Sequence, residues 1–306
     1  MLGSIENWMK LLRANFLILT VVTVFAGLAA SFYEYHSINF LNAFLCMVGA
    51  LLAHMAVNVF NNYFDFKMGI DQHTLKTPFS GGVDVIVEGR IKPSTAFYTG
   101  VLCLTGAGLV GIYFLKMFFW ILFPILLYGG ISVYFYTSYL SRFSGLSEII
   151  AGTNYGLISV GAFITQRGLV STVALAVFVP VSILVGILLF LNEFPDVEVD
   201  KMAGRKHLVI LLGRRNASRL YVVLLTIMYS SVVFLVVSRI LPVTCLLALT
   251  TLPFGWKAGK ITLKSYDNIE ELIPALASNL FVVLFTISLL AVGLFLGVPF
   301  EQLVLS

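Results

Sequence analysis

Asn61 and Asp65 lie four residues apart in "NNYFDFK", and Asn192, Asp196 and Asp200 repeat that step twice in "LNEFPDVEVDK". On an α-helix, residues at i and i+4 project from one face, so each set reads as a polar stripe, with Glu198 pointing elsewhere. Carboxylates and carboxamides are hard oxygen donors. Grouped in this way they suit magnesium, which takes near-octahedral oxygen and bridges one or two carboxylates to substrate phosphates. Lys67, Lys201, Arg205 and Lys206 interleave with the acids, and that mixture fits a phosphate better than a metal store. A magnesium-bound polyphosphate is therefore the expected ligand. The competing reading, polar residues at helix ends in the headgroup zone, is weakened by the existence of two matched copies, at Asn61/Asp65 and Asn192/Asp196.

The elements that carry these stripes must cross a membrane. The chain has 306 residues, 59% apolar and 11% charged, against roughly 25% charged in ordinary soluble domains. A spanning helix needs about 20 mostly apolar residues, and nine such stretches are predicted: 14–33, 40–64, 94–115, 117–139, 147–165, 169–194, 217–238, 241–257 and 271–298. The expected fold is an all-α polytopic membrane bundle of nine transmembrane helices, read as a single domain over 1–306. The first apolar run exceeds the 7 to 15 residues, roughly, of a signal-peptide core and reads as a retained helix. Cys46, Cys103 and Cys245 sit in apolar runs without metal-ligand spacing, as buried free thiols do.

Lys and Arg favour cytoplasmic loops. With nine spans, all but Lys116, Arg167 and Arg239 of the 19 basic residues fall on one side. The N-terminus is thus expected in the cytoplasm, together with both acidic stripes, at the ends of the second and sixth spans. An offset of four helices suggests a pseudo-repeat of helices 1–4 and 5–8 with a ninth added. Such repeats commonly place a site between halves in membrane folds. The loops 66–93 and 195–216 would both be cytoplasmic. Paired glycines and alternating apolar residues in "FSGGVDVIVEGRIKPS" suggest that the first is a structured cap, with Asp84, Glu88, Arg90 and Lys92 on it. Because the site opens onto apolar helices, whatever carries the phosphate should be greasy.

At these residues the chain resembles the UbiA superfamily of intramembrane prenyltransferases, whose nine-helix bundles carry two Asp-rich motifs at the ends of helices two and six. Asn192, Asp196 and Asp200 match the second motif. In the first motif most members would have an aspartate at 69, where this chain has Gly69, and its second aspartate is Asp71. The form with Asn58, Asn61, Asp65, Gly69 and Asp71, followed by "FSGGVDVIVEGRIKP", resembles the branch that prenylates 1,4-dihydroxy-2-naphthoate in menaquinone biosynthesis. "RFSGLSEIIAG" and "DKMAGRKHLVILLG" resemble loops of that branch, with His207 in place of its usual threonine.

The resemblance implies a prenyltransferase of the cell membrane, its active site toward the cytoplasm, in which an isoprenyl diphosphate donor ionises and an aromatic acceptor attacks the carbocation. It implies Mg2+ held by Asp65, Asp71, Asp196 and Asp200, with Asn61 and Asn192 as neighbouring ligands or hydrogen-bond partners and Asn58 nearby. Lys67, Arg142, Lys201 and Arg205 would lie near the diphosphate, and loop charge is the alternative for each. Tyr134, Phe135, Tyr136 and Tyr139 end the fourth span, and Tyr139 is the one expected to face the cation; an interfacial aromatic belt is the alternative. Glu148, Asn154 and His54 are candidate anchors for the acceptor. The partners are then donor, acceptor and lipid bilayer, with no nucleic acid. Within the class, 4-hydroxybenzoate or a glycerol phosphate could replace the naphthoate. A secondary transporter would also show intramembrane carboxylates and repeats, but near the midplane, whereas these lie at helix ends.

Overall fold

A computed structural model describes residues 4–70 and 82–298. A short helix α1 (Ile5–Leu11) is followed by α2 (Ile18–Tyr35), α3 (Phe40–Lys67), α4 (Pro93–Ser138), α5 (Leu146–Arg167) and α6 (Thr172–Asn192). Then come α7 (Val197–Met202), α8 (Leu208–Val237), α9 (Leu252–Ser265) and α10 (Ile269–Leu296). The described residues hold no strand. Six helices among them are long and apolar enough to cross a membrane: α2 with the turn before it, α3, α4, α6, α8 and α10. Large apolar side chains face outward, Trp120, Phe40 and Val237 among them, as expected where the solvent is hydrocarbon.

The stretches 94–115 and 117–139 are joined without a loop. They form the two arms of α4, and Phe118 between them leaves helical geometry (φ −136°, ψ 44°). A straight helix would hold Gly111 and Leu126 about 22 Å apart, yet a Cβ on Gly111 would touch the Leu126 side chain. The chain therefore reverses at Phe118. The expected stretch 241–257 is displaced: residues Val243–Thr251 wind as a 3₁₀ helix and pass into α9, which continues to Ser265. Pro253 at the start of α9 explains part of the change, since it cannot donate to the preceding turn.

The two sides of the bundle pack differently. α2, α6, α8, α9 and α10 share one large core, with Leu184, Ile187, Tyr221, Met228, Leu276 and Val283 inside it. Two of its buried polar side chains pair with each other across helices: Tyr221 donates to Asn279 Oδ1 at 2.9 Å, and Asn279 donates to the Ile187 carbonyl at 3.3 Å. On the other side, α3, α4 and α5 meet in smaller clusters around an open space. Small residues let helices approach closely in membranes, and Gly152 on α5 lies against the backbone carbonyl of Ser182 on α6, where a Cβ would collide. Gly152→Val should therefore cost about 1–3 kcal/mol by overpacking and lower the thermal unfolding midpoint in detergent. Gly161→Val, on the same helix with nothing within 4 Å of an added Cβ, should leave the midpoint unchanged.

Residues 82–92 pack over the end of the bundle that carries Asp65. Val85, Ile86 and Ile91 are buried against Leu11 of α1 and Val59 of α3, and Arg90 donates to Asn7 Oδ1 at 2.9 Å.

Candidate active site

The second acidic stripe is not one continuous helix, as its four-residue spacing had suggested. α6 stops at Asn192, residues 193–196 form a turn, and α7 starts at Val197. Pro195 explains the break, because its ring would clash with the carbonyl four residues back. The turn keeps the outcome: Asn192, Asp196 and Asp200 all line one cavity, together with Asn58, Asn61 and Asp65 from α3. The cavity has a volume of about 740 Å³.

Arg205 joins the two stripes. Gly204 adopts the left-handed region (φ 78°) and turns the chain back, so that the Arg205 amide donates to the Asp200 carbonyl at 2.9 Å. Its guanidinium donates to Asp200 Oδ1 at 2.8 Å and also to Asp65 Oδ1. A second guanidinium, not anticipated from the sequence, enters from the N-terminal segment. Arg13 takes a left-handed conformation (φ 48°) between α1 and α2 and donates to Asn61 Oδ1 and Asn62 Oδ1, both at 2.8 Å. Asn58 and Asn62 hold that segment in place by donating to the carbonyls of Leu12 and Leu11, at 2.9 and 2.8 Å. The remaining amide of Asn61 donates to Thr137 Oγ1 at 3.1 Å.

Burial, followed by the neighbouring Asp200 carboxylate, pushes the Asp196 carboxyl up to about 7. Burial also acts on Asp200, but His207 and Arg205 facing it outweigh that effect and hold it below the usual range. Glu193 is raised well above its ordinary value by burial and by Glu148. Burial disfavours the Arg205 cation, yet Asp65 and Asp200 reverse that and hold it charged.

Several sequence-predicted residues do not reach the cavity. Lys67 and Lys201 are exposed, because one or two residues along a helix turns a side chain away from its neighbour's face. Arg142 is exposed and contacts Met68 Sδ at 3.8 Å. Tyr139 is 56% exposed and packs edge-on against Phe143, whereas Tyr136, one turn earlier, lines the cavity. Glu148 is buried but engaged: Oε1 accepts from the Leu208 amide at 2.7 Å, capping α8, and Oε2 accepts from Ser147 Oγ at 2.6 Å. Asp71 lies outside the described residues.

Asn154 does line the cavity and accepts from Ser132 Oγ at 2.9 Å. His54 also lines it, with Nδ1 2.7 Å from Thr20 Oγ1 and Nε2 3.1 Å from the Tyr155 hydroxyl. Beyond His54 the wall is apolar and lined by small residues, including Gly49, Gly108, Gly129 and Gly161. The space thus has an acidic mouth with two guanidinium groups, a polar waist and a greasy tail.

The donor set at the mouth fits a hard cation. Asn192 Oδ1 and Asp196 Oδ1 are buried acceptors without a hydrogen-bond partner, which native interiors rarely leave. Both residues line the cavity beside Asp65 and Asp200. Carboxylate and carboxamide oxygens from two elements are the ligand type magnesium takes, alongside phosphate oxygens.

Helix bundle, divided acidic mouth and apolar tail define a multi-pass membrane protein whose cavity is polar at one end and apolar along the rest. Residues 20–281 match the UbiA prenyltransferase family. The chain belongs to that family and is a prenyltransferase. It is 31% identical to 1,4-dihydroxy-2-naphthoate octaprenyltransferase of Bacillus subtilis (strain 168), over 75% of this chain and 73% of that one. It is 29% identical to UbiA prenyltransferase domain-containing protein 1 of Danio rerio, over 78% of this chain and 70% of that one. The fold is shared with a UbiA homolog from Archaeoglobus fulgidus bound to DMAPP and Mg2+ (TM-score 0.65, 13% identity, 94% of this chain and 99% of that one). It is shared too with the apo UbiA homolog from Aeropyrum pernix K1 (TM-score 0.69, 16% identity, 92% and 98%).

Proposed function

We propose that the protein transfers a prenyl group from an isoprenyl diphosphate to 1,4-dihydroxy-2-naphthoate in a magnesium-dependent step of menaquinone biosynthesis. The observation that carries this reading is the convergence of Asp65, Asp196 and Asp200, with two orphaned acceptor oxygens, at the mouth of a long apolar cavity. The likeness to a naphthoate octaprenyltransferase supports the choice of acceptor. Nine membrane crossings follow if the two arms of α4 each cross once and α5 and the 243–265 helix cross as well. The positive-inside count then puts the mouth toward the cytoplasm of the cell membrane, under a cap formed by the 66–93 segment, with 195–216 as a second cytoplasmic loop. The paired stripes support a pseudo-repeat of the first four and next four crossings.

Bound magnesium would supply positive charge to the departing diphosphate. Asp65, Asp196 and Asp200 would hold it, with Asn192 as a neutral ligand and Asp71 added from the 66–93 segment. Asn61 is held by Arg13 and Thr137 and serves as an orienting partner, with Asn58 bracing the Arg13 segment. Arg205 and Arg13 contribute fixed positive charge where the leaving group gathers negative charge, in a site with little water. Lys67, Arg142 and Lys201 act at longer range, as charges around the mouth. The Tyr136 ring stands where a cation would form, and Tyr139 belongs to the rim. The apolar tail keeps water from the carbocation, while Asn154 and His54 offer hydrogen bonds to an acceptor hydroxyl. Glu148 supports the site through α8.

Purified protein supplied with prenyl diphosphate, Mg2+ and the naphthoate should yield a prenylated, decarboxylated product. 4-Hydroxybenzoate and a glycerol phosphate serve as parallel acceptors. No naphthoate product across several prenyl lengths would overturn the acceptor.

A pH dependence follows from Asp196. Its carboxyl is raised to about 7, so it carries a proton below that pH and loses it above. Metal ligands must be deprotonated, and the Mg2+ needed for half-maximal rate should rise by up to about tenfold per unit below pH 7. Excess Mg2+ should restore the rate, and Asp196→Asn should flatten the dependence. A requirement independent of pH would remove Asp196 from the metal set.

A further inference from the structure

Behind the acidic mouth lies a second group of potential ligands. Glu148 at the start of α5, Glu193 in the turn after α6 and His207 at the start of α8 each place one donor atom within 4.8 Å of the other two. All three are more than nine-tenths buried, at 5%, 7% and 2% exposure. Two neighbouring carboxylates repel one another, and burying them costs free energy unless something cationic or hydrogen-bonded faces them.

Glu148 is partly accounted for by the Leu208 amide and Ser147 hydroxyl. Glu193 lies against Glu148 and Ser147, but it and His207 keep buried polar atoms that nothing satisfies. Glu193 Oε2 and both ring nitrogens of His207 are buried without a hydrogen-bond partner. Such groups in a native interior call for an explanation, an ion among them.

The ring orientation narrows the choice. His207 Nδ1 faces Glu193 Oε2 at 3.6 Å, and Nε2 faces Asp200 Oδ2 at 3.4 Å. A metal-bound histidine characteristically donates its other ring N–H to a carboxylate, which fixes tautomer and orientation. With a cation at Nδ1, Asp200 is that carboxylate. One imidazole and two carboxylates differ from the all-oxygen set at the mouth. Imidazole suits zinc and its neighbours, and His with carboxylate is a familiar zinc set.

We propose that Glu148, Glu193 and His207 form a second cation site, for a first-row divalent ion of the zinc or manganese class, tied through Asp200 to the acidic mouth. Three separate segments meet there, so a cation would fasten the start of α5, the turn after α6 and the start of α8 to one another. Glu193 and His207 also border the cavity, which leaves a ligand position open on that side. None of its three residues is among the magnesium ligands proposed above, and the site stands without the acceptor assignment.

The test measures binding, without donor or acceptor. Full-length protein in detergent is stripped with chelator, equilibrated with Zn2+ or Mn2+ against millimolar Mg2+, and its retained metal is counted. Wild type should keep one equivalent per chain. His207→Thr and Glu193→Gln should weaken retention by about a hundredfold or more, while an Asp65→Asn/Asp196→Asn double variant, altered at the mouth, should still hold the ion. Loss of metal in that double variant, with retention in His207→Thr, would place the ion at the mouth and overturn the proposal. So would wild type that holds no ion against Mg2+. Should the variants fail to fold, zinc-edge X-ray absorption of the loaded wild type decides: imidazole scattering is expected, and an all-oxygen shell overturns the site. Failure of any of these leaves prenyl transfer untouched.

Discussion

Asp65→Asn and Asp196→Asn should each lower the turnover of prenyl transfer by about 10²–10³-fold or more, the scale on which a single preorganised electrostatic contact acts in a dry site. Asparagine keeps the shape and one oxygen but removes the charge. Asp65 loses its ion pair with Arg205, and Asp196 loses an acceptor oxygen that has no protein partner. The two effects should not add. Residues that act as one unit are grossly non-additive in kinetics, and the double variant should be little worse than the worse single one. Turnover of a radiolabelled prenyl diphosphate, followed across a Mg2+ titration, checks both points. Substantial activity in Asp65→Ala combined with Asp196→Ala would sink the metal assignment. Fully multiplicative losses would mean that the two carboxylates serve separate steps.

The stripes were legible because apolar run length and four-residue spacing are local properties of the chain. Asn61 and Asp65 share a helix face whatever the tertiary structure does, and Asn192 was correctly aligned with Asp196 although the helix between them breaks. What depends on distant chain reversals was not legible. Arg13 looked like any positive-inside charge near the N-terminus. Its place beside Asn61 depends on a left-handed residue and on two asparagine side chains binding backbone carbonyls. Lys67 and Lys201 were attractive only because they adjoin acids in sequence, which on a helix sends them to a different face. Tyr136 and Tyr139 illustrate the limit at a helix end: the last residues of α4 unwind into a 3₁₀ turn at Leu140–Arg142, and the outer of the two tyrosines is left on the rim. Glu148 reads from the sequence as an anchor for the acceptor, whereas in the fold its carboxylate caps α8, a contact across sixty positions of sequence.

Arg205→Met should separate two quantities that usually move together. The guanidinium bonds to both Asp65 and Asp200, so it neutralises the charge that would attract a cation. In general, a unit positive charge about 4 Å from a divalent ion is repelled by several kcal/mol at an effective dielectric near 20, and loss of the Arg205 charge would relieve part of such a repulsion. Rearrangement and solvent reduce that figure, and Mg2+ alone should bind about tenfold tighter or better. The diphosphate experiences the reverse. It loses a fixed positive charge, and turnover should fall by about 10²–10³-fold. Arg205→Lys keeps the charge but cannot span two carboxylates with a planar fork, and should lie between the two for both quantities. Mg2+ affinity by calorimetry without donor, set against turnover with donor, reads the two directions separately. If Mg2+ affinity falls along with turnover, Arg205 is holding the ligands in place by geometry. If affinity rises while turnover falls, the arginine is a resident cation that keeps the two acidic stripes together and meets the diphosphate when it arrives with its metal.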